Sequence, residues 1–531
     1  MKILLSAVVL FSLFNSQAYA QKRPQGGDFT TAITSEPITL NPINYSDASA
    51  STVLGYIVEG LLGKNVDTYD WEPNLAEKWE ISKDKKTFTF TLRDNLKWSD
   101  GKPLTVEDVK FSFQTMKDPK YKAMSKMPYY EGLSSCDIVD AKTVKFTAST
   151  NYFLNFDVAA ELAIVPKHIY EDPKAKINKT VTGSGPYMID TYEKGRRIAL
   201  KRNPNWWGWE KANKDGEYNF DRIVFRFIDS PNIQLEMLKK GDIDYMGLEP
   251  EQFVKKTDGP EWGKTLIKVK TKNDGPKGYN WVGLNLQNKI LADQKVRLAL
   301  AHLMNRDMMI EKFRYGLAEK TSAPGLLSEF KSSSLKPILF DPKKALEVLR
   351  SAGWEDTDKN GILDKVIDGK KTNLKIEILL PTEQWTRYLT VFKEDAKKVG
   401  VDIGLKNVEW NTFSKLLDEK KFDAVTMAWA GGGIEWDPKQ IWHSTSNKGG
   451  SNFINYNNPE VDKLIDDART TWDRSKRAEK LKKLNDLIAA DVPYIFLFNP
   501  SNVVYAHRSS LEKVKDTYKF GVGTSFWWKK K

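Results

Sequence analysis

Cysteine is all but missing from these 531 residues: Cys136 stands alone, so no internal disulfide is possible. Histidine is scarce too. The four histidines, His168, His302, His443 and His507, are far apart in the chain, and none sits in the His-Glu-x-x-His pair that holds zinc. There is no Gly-x-Ser-x-Gly elbow for a serine hydrolase. Residues 263–265 lack the earlier glycine of a phosphate loop, because Asp258 stands there. These absences point away from an enzyme, although a triad assembled in space need not show in sequence. Beyond the N-terminus no apolar run is long enough to cross a membrane.

The first residues are different in kind. Lys2 precedes an apolar run over residues 3–14, and Ala18-Tyr19-Ala20 has the small-x-small form of an export cleavage site. The expectation is a signal peptide over residues 1–20, with Gln21 as the first mature residue. No cysteine follows the cleavage site to carry a lipid, so the mature protein is expected to be soluble and free in the periplasm. The net charge is +12, yet the 82 basic and 70 acidic residues are interleaved without a basic arm. That pattern reads as a solvated surface, and no nucleic-acid partner is expected.

The rest of the chain is long enough to divide into two or three lobes. Residues 53–62 read as an apolar helix, and residues 87–92 alternate threonine with Phe88, Phe90 and Leu92 as a half-buried strand does. Thr105 and Asp108 form a capping box opening a helix over 106–116. From residue 221 strands and helices alternate. In the second half strands are expected at 374–380, 401–408 and 422–429, with helices at 385–398 and 410–417. Such alternation implies crossover connections and a mostly parallel sheet. Ligands of open α/β sheets sit beyond the carboxyl ends of the strands, which marks the loops 381–383 and 430–437.

Two constellations merit chemistry. Asp356, Asp358, Asn360 and Asp364, with Gly361 at the sharp turn, match the first nine positions of a calcium loop. Position twelve is Ile367 where a bidentate glutamate belongs, so a plain Asx-rich turn competes with a weak structural calcium site. The second is the loop after residue 429. Trp429 and Trp436 flank Gly431, Gly432 and Gly433, where bare backbone beside aromatic faces suits a ligand read through its main chain. A flexible turn is the competing reading of the three glycines.

Residues 74–80, 86–92 and above all Trp98-Ser99-Asp100-Gly101-Lys102-Pro103-Leu104-Thr105-Val106-Glu107-Asp108-Val109 closely resemble the signature of the family 5 extracellular solute-binding proteins, the oligopeptide and dipeptide binders of bacterial ABC importers. Gly183-Ser184-Gly185-Pro186-Tyr187, residues 201–207, residues 296–307 and residues 457–464 extend the likeness over the mature chain. The resemblance implies an α/β fold of the periplasmic-binding-protein type, with two hinged lobes and an extra β-rich domain. Lobe I is expected from residues 21–65, 182–275 and 497–531, domain II from 66–181 and lobe III from 276–496. It also implies a monomer that captures a small solute, with an oligopeptide the first choice, and hands it to the permease subunits of an inner-membrane importer. Oligopeptide binders of this family resemble one another in placing an aspartate after the strand that ends here at Trp429, to pair with the ligand's ammonium. This chain has glycines there, which keeps sugars and metal chelates open as ligands. An exported hydrolase and a solute sensor stand behind them. The expected site is Trp429, Ala430, Gly431, Gly432, Gly433 and Trp436, with Glu435 or Asp437 as the ammonium partner. Ser49, Ser51 and Thr52 form the opposite wall, and Asn285 completes it.

Overall fold

The computed structural model describes residues 23–531 except 124–125, 173, 179–180, 325–327 and 432–433. The expected signal peptide therefore lies outside the described residues, as do Gly432 and Gly433. Among the described residues no helix is long and apolar enough to cross a membrane.

Three sheets organise the chain. The seven-stranded sheet of lobe I runs in the order Leu266–Thr271, Val503–Arg508, Tyr245–Gly247, Asp28–Ile33, Arg222–Phe227, Arg197–Arg202, Tyr187–Glu193. The five-stranded sheet of lobe III runs Asp402–Asn407, Lys375–Leu380, Ala424–Trp429, Tyr279–Leu284, Tyr494–Phe496. Domain II carries the four strands Ala76–Ile81, Thr87–Leu92, Thr143–Ala148 and Leu133–Ile138, all antiparallel. The alternation in Thr87–Leu92 buries Phe88, Phe90 and Leu92 beneath the helix Val106–Lys117, whose N-terminus has the Thr105/Asp108 capping box.

Several expectations need correction. Both lobe sheets are mixed, not mostly parallel. Asp28–Ile33 pairs in parallel with Arg222–Phe227 and Tyr245–Gly247, and Lys375–Leu380 with its two neighbours, but the other pairs are antiparallel. The outer strands arrive through hairpins or from distant segments, which no crossover helix orients. The helix expected at 53–62 lies at Ala48–Leu54, because Asp47 accepts the Ala50 N–H at 2.7 Å and starts it earlier. The boundary at 65/66 cuts a hairpin, since Leu62–Lys64 pairs with Trp71–Pro73. The boundary at 496/497 falls inside lobe III, since Phe498–Pro500 pairs with Ala318–Lys320.

The chain crosses between the two lobe sheets twice, between Thr271 and Tyr279 and between Pro500 and Val503. One crossing lies hard against the loop of interest. A Cβ on Gly278 would fall 2.0 Å from the Trp429 carbonyl oxygen, and one on Gly431 only 1.6 Å from that of Pro276. Backbone meets backbone there, and only glycine fits. Gly278→Ala is expected to lower stability by about 2–3 kcal/mol through overpacking. Gly63→Ala, whose new methyl would meet nothing within 4 Å, is the control and should change little. Denaturant midpoints of the two variants measure the difference.

Candidate functional site

The parallel strands Lys375–Leu380 and Ala424–Trp429 end on the same edge of the lobe III sheet, and the loops that follow them face the carboxyl ends of Arg222–Phe227 and Tyr245–Gly247 in lobe I. Between them lies a cavity of about 720 Å³. Its lobe III wall holds Tyr279, Trp385, Tyr388, Trp429 and Phe498, and its lobe I wall holds Asn232, Glu249, Glu251 and Gln252. A smaller cavity of about 350 Å³ lies where Ile434 and Glu435 meet domain II and Tyr45. Of the expected loops, Thr382 and Glu383 line the larger cavity beside Trp429, and Ile434 and Glu435 line only the smaller one.

Two ion pairs cross the larger cavity from lobe III to lobe I. Arg387 donates to Glu251 at 2.8 Å, and Arg314 lies 3.7 Å from Glu249. The Arg314 Nε is buried with no partner among the described residues, and so is the Trp429 indole N–H. Both atoms are sealed behind the cavity wall, and a buried donor left without an acceptor costs free energy. Trp429 itself is half-buried, stacked between Trp281 and Phe453 with ring centroids 5.7 and 6.2 Å away. It lines the larger cavity. Trp436 instead packs against Phe330 and lines neither cavity.

The two carboxylates expected to meet an ammonium are already engaged. Glu435 accepts from Arg474 at 2.8 Å and from Arg477 at 2.6 Å. Asp437 is nearly sealed, with a 3% exposed side chain that accepts from Arg469 at 3.0 Å and from the Tyr152 hydroxyl at 2.7 Å. Guanidinium partners from the helices Pro459–Arg469 and Arg474–Asp491 have neutralised both. The Tyr152 bond and a second one, Tyr129 to Gln440 at 2.7 Å, tie domain II to lobe III.

Other expected residues serve structure. Asn285 follows a strand whose opposite end carries Tyr279, the partner of Trp429, so it sits across the sheet from the crevice. Its amide donates to the Lys420 and Phe422 carbonyls at 3.2 and 2.8 Å. Ser49 is buried and bonds Ser35, while Thr52 turns back to the Ala48 carbonyl of its own helix. Ser51 is exposed, and none of the three lines either cavity. Ala430 and Gly431 are exposed beside the crossing, where the demand for glycine at 431 comes from Pro276.

The sequence reading missed two acids that no guanidinium meets among the described residues. Asp157 and Glu161 project from one face of the short helix Asn155–Ala160 and its cap into the smaller cavity. Burial raises both carboxyl groups, Glu161 to about 7. Lys64 stands 3.6 Å from Asp157 with its ammonium 3.3 Å over the Trp71 ring. The signal was present as two acids four apart inside the apolar run 152–165. Acids at that spacing are ordinarily a solvated face, so the pattern did not stand out.

In the calcium-like loop the carboxylate oxygens of Asp356, Asp358 and Asp364 all lie within 4.8 Å of one another. The Lys371 ammonium enters this cluster, 2.8 Å from Asp358 and 3.3 Å from Asp364. Asp356 accepts the Asn360 and Gly361 N–H groups, each at 3.0 Å, which is the bonding of an Asx turn.

Comparison with known proteins adds a family. Residues 70–452 match the bacterial extracellular solute-binding proteins, family 5 middle region. The chain is 28% identical over 500 residues to the oligopeptide-binding protein AppA of Bacillus subtilis, covering 91% of this chain and 88% of that protein. The structure of AppA from Bacillus subtilis in complex with a nonapeptide is similar with a TM-score of 0.84 at 26% identity, over 96% of this chain and 100% of that one. NikZ from Campylobacter jejuni in complex with Ni(L-His) is similar with a TM-score of 0.81 at 26% identity, over 94% and 99%.

The sealed pair beside the crevice makes a sharp prediction. Asp437→Ala strands a buried guanidinium and is expected to cost about 3–5 kcal/mol. Tyr152→Phe removes one bond to a charged group and should cost about 1.5–3 kcal/mol. Urea unfolding of the two variants gives the comparison.

Proposed function

The chain belongs to the family 5 bacterial extracellular solute-binding proteins, and from that premise we propose that it captures an oligopeptide or peptide-like solute in the crevice between lobes I and III. Capture is reversible and non-covalent, and the loaded protein delivers its solute to the permease of an ABC importer. It acts as a monomer in the periplasm, exported by the N-terminal segment. The observation that carries this reading is the wall of the larger cavity. Trp385, Tyr388, Trp429 and Phe498 give apolar faces that tolerate varied side chains, and Arg387 and Arg314, paired there with Glu251 and Glu249, are the cations for which a solute carboxylate would compete. The volume lies within the usual range for such sites, about 300–1,000 Å³. Lobe closure about the two crossings would wrap the solute, with the Arg387–Glu251 and Arg314–Glu249 pairs spanning the closed crevice. Metal chelates find less support, since none of the four histidines lines either cavity.

Mass spectrometry of small molecules released from protein purified without refolding tests the reading. Peptides are expected, and a yield of sugars or metal chelates alone would overturn it. Arg387→Ala should weaken binding of a peptide with a free carboxyl end by about 10-fold or more. The same variant should leave the carboxamide form of that peptide nearly unaffected.

For the loop at residues 356–364, the proposal is that Lys371 supplies the positive charge a calcium ion would bring. Melting temperature in millimolar calcium is then expected to stay unchanged. It should rise in Lys371→Met, where the three carboxylates are left without a cation. A calcium-dependent rise in the unmodified protein would favour a resident metal.

A further inference from the structure

All three bodies of the protein line the smaller cavity: Tyr45 from lobe I, Asp157 and Glu161 from domain II with Lys64 of the hairpin that leads into it, and Ile434 and Glu435 from lobe III. Resting on the reading of the crevice as a peptide site, we infer that domain II, through Asp157 and Glu161, supplies the partner for the solute's free amino terminus. The loop after Trp429 does not.

The reasoning is by charge and by what each group has left to give. A buried ammonium without an anion costs several kcal/mol, so a peptide amino terminus entering the crevice needs a carboxylate. Glu435 and Asp437, the acids nearest the glycine loop, have given their oxygens to Arg474, Arg477, Arg469 and Tyr152. Asp157 has one cation within reach, Lys64 at 3.6 Å, and that ammonium is held over Trp71. Nothing among the described residues hydrogen-bonds the Glu161 carboxylate, which is exposed to the cavity. Two carboxylates four residues apart on one helical face repel each other. A primary ammonium has three donors and bridges two such groups. Tyr69, Tyr129 and Tyr130 close the walls with aromatic surface, which also favours a cation. The other cation present, Lys126, is spent elsewhere: it donates to the Pro42 carbonyl at 2.7 Å and lies 3.8 Å over the Tyr45 ring.

The cavity also sets a pH dependence. The charged and titratable groups around Glu161 are Asp157 and Lys64 on domain II, Lys126 and Tyr69, Tyr129 and Tyr130 beside them, Tyr45 of lobe I and Glu435 of lobe III. Burial, reinforced by the Asp157 charge, brings the Glu161 carboxyl to about 7. An ammonium binds the ionised form, so protons compete with it as pH falls below that value. Affinity for an amino-terminal ammonium should therefore drop about 10-fold between pH 8 and pH 6.

Calorimetric titration with penta-alanine tests the inference in three forms: free, N-acetylated and C-amidated. In the unmodified protein the free form should bind at least about 10-fold more tightly than the acetylated one. Glu161→Gln and Asp157→Asn, each checked for an unchanged melting temperature, should close that gap and flatten the pH dependence. Neither should alter the preference for a free over an amidated carboxyl end. If the free and acetylated forms bind equally, or the gap survives in the Asp157→Asn/Glu161→Gln double variant, the inference fails and the peptide reading stands. If no form binds at all, the peptide reading fails and this inference falls with it.

Discussion

The crevice depends on a contact between two pieces of bare backbone. The crossing segment at 276–278 and the loop at 429–431 lie so close that a methyl group at Gly278 or Gly431 would overlap a carbonyl oxygen. Because one piece connects the lobes and the other ends a central strand of lobe III, the floor of the crevice is fixed relative to the axis about which the lobes close. The cavities follow from it, one on the side of Trp385 and Phe498, the other on the side of domain II. The glycines that look like a flexible or ligand-reading loop include at least one, Gly431, that close packing requires.

Charge is distributed around that floor by a simple rule of desolvation. Acids that lie deep, Asp437 above all, are met by guanidinium groups, whose several donors and weak hydration make them suitable partners in a protein interior. Arg469 ends the helix Pro459–Arg469, and Arg474 and Arg477 begin the next one, Arg474–Asp491. What remains for a solute is then set by subtraction. Arg314 and Arg387 line the larger side, paired with Glu249 and Glu251, and Asp157, paired with Lys64, and Glu161 line the smaller side.

Local pattern carried much of the fold and part of the site. The period-2 alternation of residues 87–92, the capping box at Thr105 and Asp108, and the strand, helix, strand series around 374–429 are set by neighbours a few residues apart, and each is found where the pattern puts it. Trp429 was legible as a strand end for the same reason. Pairing direction was not, because the hairpins and distant segments that make the sheets mixed depend on which strands meet. The side chains of Glu435 and Asp437 were legible as acids near the site but not as spent ones, since their partners lie 32 to 42 residues away.

By itself the sequence determined the family and the kind of elements, because those follow from short-range periodicity and from a signature spread along the chain. Only the tertiary structure decided which charged groups face the crevice with capacity left. That depends on Arg469 reaching Asp437, on Arg474 and Arg477 reaching Glu435, and on no guanidinium among the described residues reaching Glu161, because a charge that leaves water is costly unless a partner drawn from a distant segment meets it.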